Sequence, residues 1–151
     1  MYKHVLLPTD GSKLSAKGAK ETIRMARALG AKVTAIHVVG NYHQRFQDAD
    51  DGFMVPVIPA LKREREDRAA AHADAILQPV KEAATKAGVK CVTVVVAGDP
   101  PYEMIINQAK KSKCDLIMMA SHGRRGLKGI LLGSETAKVL THSKIPVLVL
   151  R

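Results

Sequence analysis

Five short apolar segments alternate with four helical segments along this chain of 151 residues. The apolar segments are brief and rich in Val, Ile or Leu, which predicts strands over 3–8, 31–39, 89–97, 115–120 and 145–150. The helical segments run from a Ser12 N-cap to Gly30, over 60–87, from Pro100-Pro101 to Lys113, and from about Ser134 to His142. This alternation is typical of βαβ units with right-handed crossovers. The sequence therefore predicts one α/β domain over 1–151, with a doubly wound five-stranded parallel sheet and helices on both faces.

The second helical segment contains a proline, and an irregular stretch precedes it. Pro79 has no N–H and its ring clashes with the preceding turn, so we expect the helix to kink or break there. The preceding stretch, 41–60, is predicted to be a mobile excursion. A metal site built from Asp48, Asp50 and Asp51 is the alternative to a solvated loop there, and the solvated loop is favoured.

The composition limits the classes of function. Aromatic residues make up 3% of the chain and Trp is absent, so the core must be aliphatic. This disfavours OB-fold and RRM proteins, whose binding faces need stacking rings. Cys91 and Cys114 fit no metal or redox spacing and are predicted to be reduced thiols. No apolar run approaches the length of about 20 residues that spans a bilayer, so we expect a cytoplasmic protein without a membrane partner.

The formal net charge of +10 is the unusual feature of the composition. It favours anionic partners, namely phosphates, nucleic acid or acidic protein surfaces, while a solvated basic surface is the alternative. Direct nucleic-acid binding is disfavoured because acids alternate with cations over 62–68 and no reading element is apparent. His4, His72 and His142 are predicted at the surface, and His37 is predicted to be partly buried in a strand.

A glycine-rich stretch follows the fourth predicted strand. Residues 120–136 read ASHGRRGLKGILLGSET, with four glycines and three cations before a helix that begins near Ser134. Glycines allow close approach of backbone N–H groups to a phosphate, and a helix N-terminus attracts anions. The stretch is neither a Walker A loop nor a dinucleotide fingerprint. Ser134 also fits a simple N-cap, which would stabilise the helix without any ligand.

The same stretch carries a resemblance to a known family. Gly123, nine further residues and then Gly133-Ser134 match the end of the motif G-x2-G-x9-G-[ST] of the universal stress protein family, with Ala120 in the place of the first glycine. The segments 8–12, 37–38, 98–100 and 145–149 are similar to other parts of that family. The chain thus resembles a universal stress protein over nearly its whole length, except for 41–60.

The resemblance implies a strand order of 3-2-1-4-5 and an adenine-nucleotide site where strands one and four diverge. It implies bound ATP, or AMP or ADP, with Mg²⁺ able to bridge the phosphates. Pro8, Thr9 and Asp10 would line the adenosine, and Val38 would meet the adenine. The residues expected around the ribose and phosphates are Ala120, His122, Gly123, Arg124, Gly133, Ser134, Glu135 and Thr136.

Three functions follow as hypotheses. The first is a nucleotide-binding stress sensor that is read by another protein and has no strong catalysis of its own, with slow ATP hydrolysis not required by these residues. The second is an interaction module that has lost nucleotide binding, which Ala120 and the carboxylate of Glu135 would favour. The third, an enzyme of similar fold such as a nucleotidyl transferase, is disfavoured because no SGGxDS loop is present. A homodimer is expected through the last strand, 145–150, since a bare apolar edge invites pairing.

Overall fold

The computed structural model describes residues 1–40, 59–122 and 132–151. The predictions for 41–58 and for the glycine-rich residues 123–131 lie outside these ranges. The elements in chain order are β1 His4–Pro8, α1 Lys13–Leu29, β2 Lys32–Val39, α2 Pro59–Lys86, β3 Cys91–Ala97, α3 Pro101–Lys111, β4 Leu116–Ala120, α4 Ser134–His142 and β5 Val147–Leu150. Every predicted strand is present, with each one trimmed or shifted by at most two residues at its start.

The five strands form one parallel sheet in the order β3-β2-β1-β4-β5. In the central pairings, Leu6 of β1 lies opposite Thr34 of β2 on one side and Ile117 of β4 on the other. The order reverses between β1 and β4, so this is the switch point of the doubly wound sheet. The predicted fold class and strand order are confirmed.

Each face of the sheet is covered by a pair of helices. One apolar cluster joins Val5, Leu7 and Met118 to α1 and α2, while the other joins Leu6, Ile36 and Met119 to α3 and α4. Successive residues of a strand point to opposite faces, which is why neighbours such as Met118 and Met119 belong to different clusters. Strands buried on both faces explain the continuous apolar runs in the sequence.

The ends of the first helix follow the predicted capping pattern. Ser12 is the N-cap of α1, and its side chain accepts a hydrogen bond from the N–H of Ser15 at 3.2 Å. Gly30 ends the helix with φ of 64°, a left-handed conformation in which glycine has no Cβ penalty. Gly88 has the same conformation, with φ of 71°, after α2.

Of the kink or break predicted at Pro79, the break is wrong, because α2 is a single helix through that residue. Pro79 is exposed, so its ring faces solvent, whereas Ile76, Leu77 and Val80 beside it are buried against the sheet. Burial of these side chains on both sides of the proline offsets the missing hydrogen bond.

Two groups of polar or reactive side chains test the predictions about burial. His4 is buried with 8% exposure, so its predicted surface position is wrong, while His72 and His142 are exposed as expected. Both cysteines are free thiols, and burial raises the pKa of Cys114 to about 11.

Within the described ranges, no helix is long and apolar enough to cross a membrane.

In a parallel sheet all strands point the same way, so its two ends differ. All five strands terminate at one end of the sheet, which we call the carboxyl pole, and start at the other end, which we call the amino pole. The helices run antiparallel to the strands, so their N-termini lie at the carboxyl pole and their C-termini at the amino pole. The predicted nucleotide site belongs to the carboxyl pole.

Candidate functional site

The chain leaving β1 is held firmly to the neighbouring strand. Thr9 is 7% exposed, and its N–H donates to the carbonyl of Ile36 at 2.9 Å. The Thr9 carbonyl lies 2.9 Å from Nδ1 of His37, so this ring nitrogen carries the proton. The Thr9 hydroxyl donates to Oγ of Ser15 in α1 at 3.2 Å. Thr9 is thereby a fixed point that joins β1, β2 and α1.

Asp10 shapes the turn that follows. Its Oδ1 accepts a hydrogen bond from the N–H of Ser12 at 3.0 Å, the local bond of an Asx-turn. Gly11 takes the left-handed conformation with φ of 76°. The turn presents the half-exposed Asp10 at the carboxyl pole, and Val38 lies half-buried near the end of β2.

The other wall of the site is built from the end of β4 and the start of α4. Ala120 is the last residue of β4, and its carbonyl accepts a hydrogen bond from the hydroxyl of Thr136 at 3.0 Å. The N–H of Gly133 donates to the carbonyl of Ser121 at 2.7 Å. Thr136 is 3% exposed, so its hydroxyl ties α4 to the sheet from inside the molecule.

Gly133 lies where a side chain has almost no room. A Cβ at this position would sit 3.1 Å from Cα and Cβ of His122 and 3.3 Å from the carbonyl oxygen of Ser121. Its φ of −70° is available to any residue, so close approach and not backbone conformation explains the glycine. The His122 ring is half-buried, and its Nδ1 lies 3.2 Å from Oγ of Ser121.

Gly133 is also the N-cap of α4, and it supplies no side-chain cap. The first helical bond in α4 joins the N–H of Ala137 to the carbonyl of Gly133 at 2.9 Å. The N–H groups of residues 134–136 therefore precede the helical bonding pattern and lie at the positive end of the helix dipole. Ser134 is the first residue of α4, so the simple N-cap interpretation of Ser134 is wrong.

Glu135 is turned towards another helix. Its Oε2 accepts a hydrogen bond from the N–H of Tyr102 in the first turn of α3 at 2.9 Å, and its Oε1 lies 3.0 Å from Nζ of Lys138. The carboxylate therefore caps α3 and is paired with a cation. This contact weakens the hypothesis that Glu135 repels a phosphate at the start of α4.

Most of the predicted residues thus lie together at the carboxyl pole. In the β1–β4 register the two strands terminate side by side. Thr9 and Asp10 follow β1, Ala120 is the last residue of β4, and His122 and Gly133 lie beyond it. Gly123 and Arg124 lie outside the described residues. Sequence reasoning missed Ser15, Ser121 and Tyr102, whose contacts with the site residues depend on the packing of α1, α3 and α4.

Chemically, this crevice offers two kinds of group. Exposed helix N–H groups and a glycine without Cβ suit an anion, and the half-buried apolar end of β2 suits a flat ring. Within the described ranges, no cluster of three or more His, Cys, Asp or Glu residues could hold a metal ion. The described part of the crevice therefore fits a phosphorylated organic ligand.

Comparisons with known proteins agree with this geometry. A family model described as the universal stress protein family matches residues 1–151. Universal stress protein MJ0531 of Methanocaldococcus jannaschii is 36% identical over 151 residues, which span 100% of this chain and 83% of that protein. Universal stress protein YxiE of Bacillus subtilis is 31% identical over 153 residues and the whole of both chains.

Solved structures give the same result at the level of the fold. The structure of protein MJ0577, also from Methanocaldococcus jannaschii, superposes with a TM-score of 0.81 at 29% identity and covers 99% of this chain and 96% of that one. A universal stress protein solved in complex with cAMP has a TM-score of 0.68 at 25% identity, with 99% and 97% covered.

Proposed function

Because the chain belongs to the universal stress protein family, we propose that it binds an adenine nucleotide in the crevice between β1 and β4. The protein acts as a cytoplasmic homodimer whose nucleotide occupancy is read by another protein. The observation that carries the proposal is the start of α4, where Gly133 lies against His122 and leaves helix N–H groups facing the carboxyl pole. The similar protein solved with cAMP supports an adenine nucleotide as the ligand class.

The adenosine side of the crevice is formed by the chain leaving β1 and β2. Pro8 and Thr9 form its floor, since Thr9 is fixed by hydrogen bonds to β2 and α1. The carboxylate of Asp10 has several acceptor positions, so it can accept from a ribose hydroxyl or a base edge while it holds its turn. Val38 packs against the adenine ring.

The phosphate side is formed by β4 and α4. Backbone N–H groups of Ser134 and Glu135 and the hydroxyl of Ser134 lie next to the phosphates, and Gly123 and Arg124 complete the loop around them. Ala120 and His122 flank the ribose. The Thr136 hydroxyl acts indirectly, because its bond to Ala120 sets the distance between α4 and β4. Mg²⁺ is carried mainly by the phosphates, which is usual for this ion.

The role is binding and not rapid catalysis. His122 bonds to Ser121, and Asp10 holds its own turn, so both groups act in positioning. Covalent catalysis requires a nucleophile activated by a base that a third group orients, whereas the hydrogen bonds of His122 and Asp10 hold the backbone turns of the crevice. ATP, ADP and AMP all fit this scheme, and slow hydrolysis is not part of it.

The first test is an inventory of nucleotide in freshly purified protein, followed by calorimetric titration with Mg-ATP and with AMP. Bound or titratable nucleotide is the expected result. Protein that is empty and does not respond to millimolar ATP would overturn the proposal in favour of an interaction module.

The site itself is tested by Gly133→Asp, with Gly133→Asn as the matched control. Asp and Asn are both good N-caps and nearly the same shape, so the crowding that a Cβ brings against His122 and Ser121 is the same in both and cancels in their comparison. Only Asp places a negative charge beside the phosphates, so it should weaken Mg-ATP binding about 100-fold beyond the Asn variant. Equal affinity of both variants and the natural chain would show that the nucleotide binds elsewhere.

The homodimer is proposed to form through β5. This edge strand exposes Leu148 by 37%, and its unpaired backbone groups can add a strand from a second copy. Leu148→Lys should give a monomer in sedimentation experiments. Val95→Lys is the matched control, because Val95 is 46% exposed on β3 at the opposite edge. Dissociation by the control alone would move the interface to β3.

A further inference from the structure

Asp99 lies at the carboxyl pole, in the short connection between β3 and α3. It follows Gly98, whose N–H donates to the carbonyl of Val39 at 3.0 Å, so the chain leaving β3 stays attached to the end of β2. It precedes Pro100, the N-cap of α3, whose carbonyl accepts a hydrogen bond from the N–H of Glu103 at 3.1 Å. The backbone of Asp99 is therefore held on both sides.

The carboxylate of Asp99 lies beside Gly40, the residue that follows β2. A Cβ built on Gly40 would be 3.4 Å from Oδ1 and 3.6 Å from Oδ2 of Asp99. Because glycine has no Cβ, the space between this backbone and the carboxylate stays open. An exposed carboxylate is thus presented beyond the end of β2, next to a gap and two residues along from the half-buried Val38.

Asp99 and the two ends of the proposed crevice belong to the same side of the sheet. Val38 packs against the apolar cluster that joins the sheet to α3 and α4, and Asp99 leads into α3. The starts of these two helices are joined, because Oε2 of Glu135 accepts a hydrogen bond from the N–H of Tyr102 at 2.9 Å. The start of α4, the end of β2 and Asp99 therefore line one continuous stretch of the carboxyl pole.

The order of the strands sets the spacing along this stretch. β1 lies between β2 and β4, so the ends of β2 and β4 are about 10 Å apart. A nucleotide held by its phosphate at α4 and by its ribose beyond β1 would carry its base to the end of β2. The edge of the base furthest from the ribose would then face Asp99.

The charge of Asp99 fixes which end of a nucleotide can lie there. A carboxylate repels phosphate, so the phosphates must lie at the other end of the stretch, where α4 offers N–H groups. An ionised carboxylate accepts hydrogen bonds and donates none, so the group that meets it must carry a proton. In adenine, the edge of the ring furthest from the ribose carries such a group, the 6-amino group.

From this geometry we propose that Asp99 reads the base of the bound nucleotide by accepting a hydrogen bond from the 6-amino group of adenine. The inference rests on the nucleotide site proposed above and assigns a specificity-determining residue to it. A carboxylate has about four acceptor positions, so Asp99 can bind the base while it keeps its contacts within the protein. Val38 then contacts the face of the ring, and Asp10 is left to the ribose hydroxyls.

The test compares AMP with purine riboside 5′-monophosphate, which has hydrogen in place of the 6-amino group, by calorimetric titration. The natural chain should bind AMP about tenfold tighter or more, because the analogue gives the carboxylate no donor. Asp99→Ala should remove most of this preference, and Asp99→Asn, which keeps a neutral acceptor, should retain part of it. A general loss of stability would lower both affinities and leave their ratio unchanged.

Glu103→Gln is the matched control for the loss of negative charge. It removes a carboxylate from the first turn of α3, close to Asp99 in the chain but bonded to the hydroxyl of Tyr102. Its preference for AMP should equal that of the natural chain within about twofold. Equal losses of preference in Glu103→Gln and Asp99→Ala would overturn the proposal, because charge near α3 and not a hydrogen bond would then set the ratio.

The remaining outcomes separate the role of Asp99 from the nucleotide site itself. Equal affinity of the natural chain for AMP and the analogue would overturn the role of Asp99 and leave the nucleotide site standing. Binding of neither ligand would overturn the site, and this inference with it. Tighter binding of GMP than of AMP, lost in Asp99→Ala, would mean that the carboxylate accepts from the N1–H and 2-amino groups of guanine, and adenine would be the wrong base.

Discussion

The two poles of the sheet are made by the same crossovers, yet they are built by different means. At the carboxyl pole, side chains reach between elements, as in the bonds of Thr9 with Ser15 and of Thr136 with Ala120. At the amino pole, backbone N–H groups close the helices, Asp115 bonds to the N–H groups of Lys3 and His4, and the long cationic side chains remain in solvent. Both arrangements fix geometry, but the second also gathers exposed cations.

This difference has a simple origin in the parallel fold. Helix N-termini collect at the carboxyl pole, where N–H groups and dipoles can bind an anion without any charged side chain. Helix C-termini collect at the amino pole, where cations are stabilised by the dipole even when no ligand is present. Arg27, Lys86 and Lys110 accordingly stand in last helical turns at the amino pole, whereas Glu103 and Glu135 stand in first helical turns at the carboxyl pole.

The largest effect is expected from Thr136→Val at the carboxyl pole. Valine keeps the shape but leaves the carbonyl of Ala120 without its donor inside the protein, which costs about 1–3 kcal/mol of unfolding free energy. Nucleotide affinity should fall as well, because α4 loses its tie to β4. Denaturant unfolding and calorimetry measure the two effects.

Two control variants, one at each pole, accompany this substitution. Thr141→Val removes a hydroxyl that bonds only within α4 at an exposed position, and Lys90→Gln removes a charge at the amino pole. Each should change the unfolding free energy by less than about 0.5 kcal/mol. If Lys90→Gln were as costly as Thr136→Val, the exposed cations of the amino pole would also hold the fold and the contrast would be wrong.

A smaller, pH-dependent effect is expected from Asp115→Asn at the amino pole. Burial raises the pKa of Asp115, but the N–H donors of Lys3 and His4 outweigh it, so the folded-state pKa lies below the usual 3.8. A lowered folded pKa stabilises the protein above the unfolded value and loses that contribution as the pH falls through the folded value. The natural chain should therefore be more stable than the variant at pH 7, and the gap should close in acid.

Urea unfolding from pH 7 down to pH 3 follows this gap. Asp74→Asn, at an exposed position of α2, is the control and should change the unfolding free energy little. The difference in unfolding free energy between the natural chain and Asp115→Asn could instead stay constant over the whole pH range. That result would mean that the carboxylate acts through its shape and not through its charge.

The sequence predicted the strands and both caps of α1 well, because these depend on local signals. Apolar runs marked the strands, and Ser12 and Gly30 were correct caps because capping involves residues within one turn. The order of the strands came from the resemblance to the family. The local proline rule failed at Pro79, where burial of neighbouring residues against the sheet keeps the helix intact.

The unpredicted features depend on residues far apart in the chain. His4 is buried because it pairs with Thr34 of β2, and Glu135 caps a helix that begins 34 residues earlier. Asp115 bonds to the N–H groups of Lys3 and His4 at the other end of the chain, although in the sequence it looks like an ordinary solvated acid.

The smallest effect is expected from Glu135→Gln, which asks whether the acids of the carboxyl pole oppose the ligand or hold the structure. The carboxylate already bonds to the N–H of Tyr102 and to Lys138, so its charge is largely engaged. The variant should lose about 1 kcal/mol of unfolding free energy or less, from the weaker cap of α3. Its affinities for Mg-ATP and for AMP should each change less than about threefold.

The ratio of these two affinities separates the interpretations. If Glu135 repelled the phosphates, Glu135→Gln would strengthen Mg-ATP far more than AMP, because the triphosphate carries more charge near α4. Glu103→Gln is the matched control, since it removes a carboxylate from the first turn of α3 that bonds to the Tyr102 hydroxyl. A preference for ATP that appears only in the Glu135 variant would mean that this acid tunes the ligand as well as the helix.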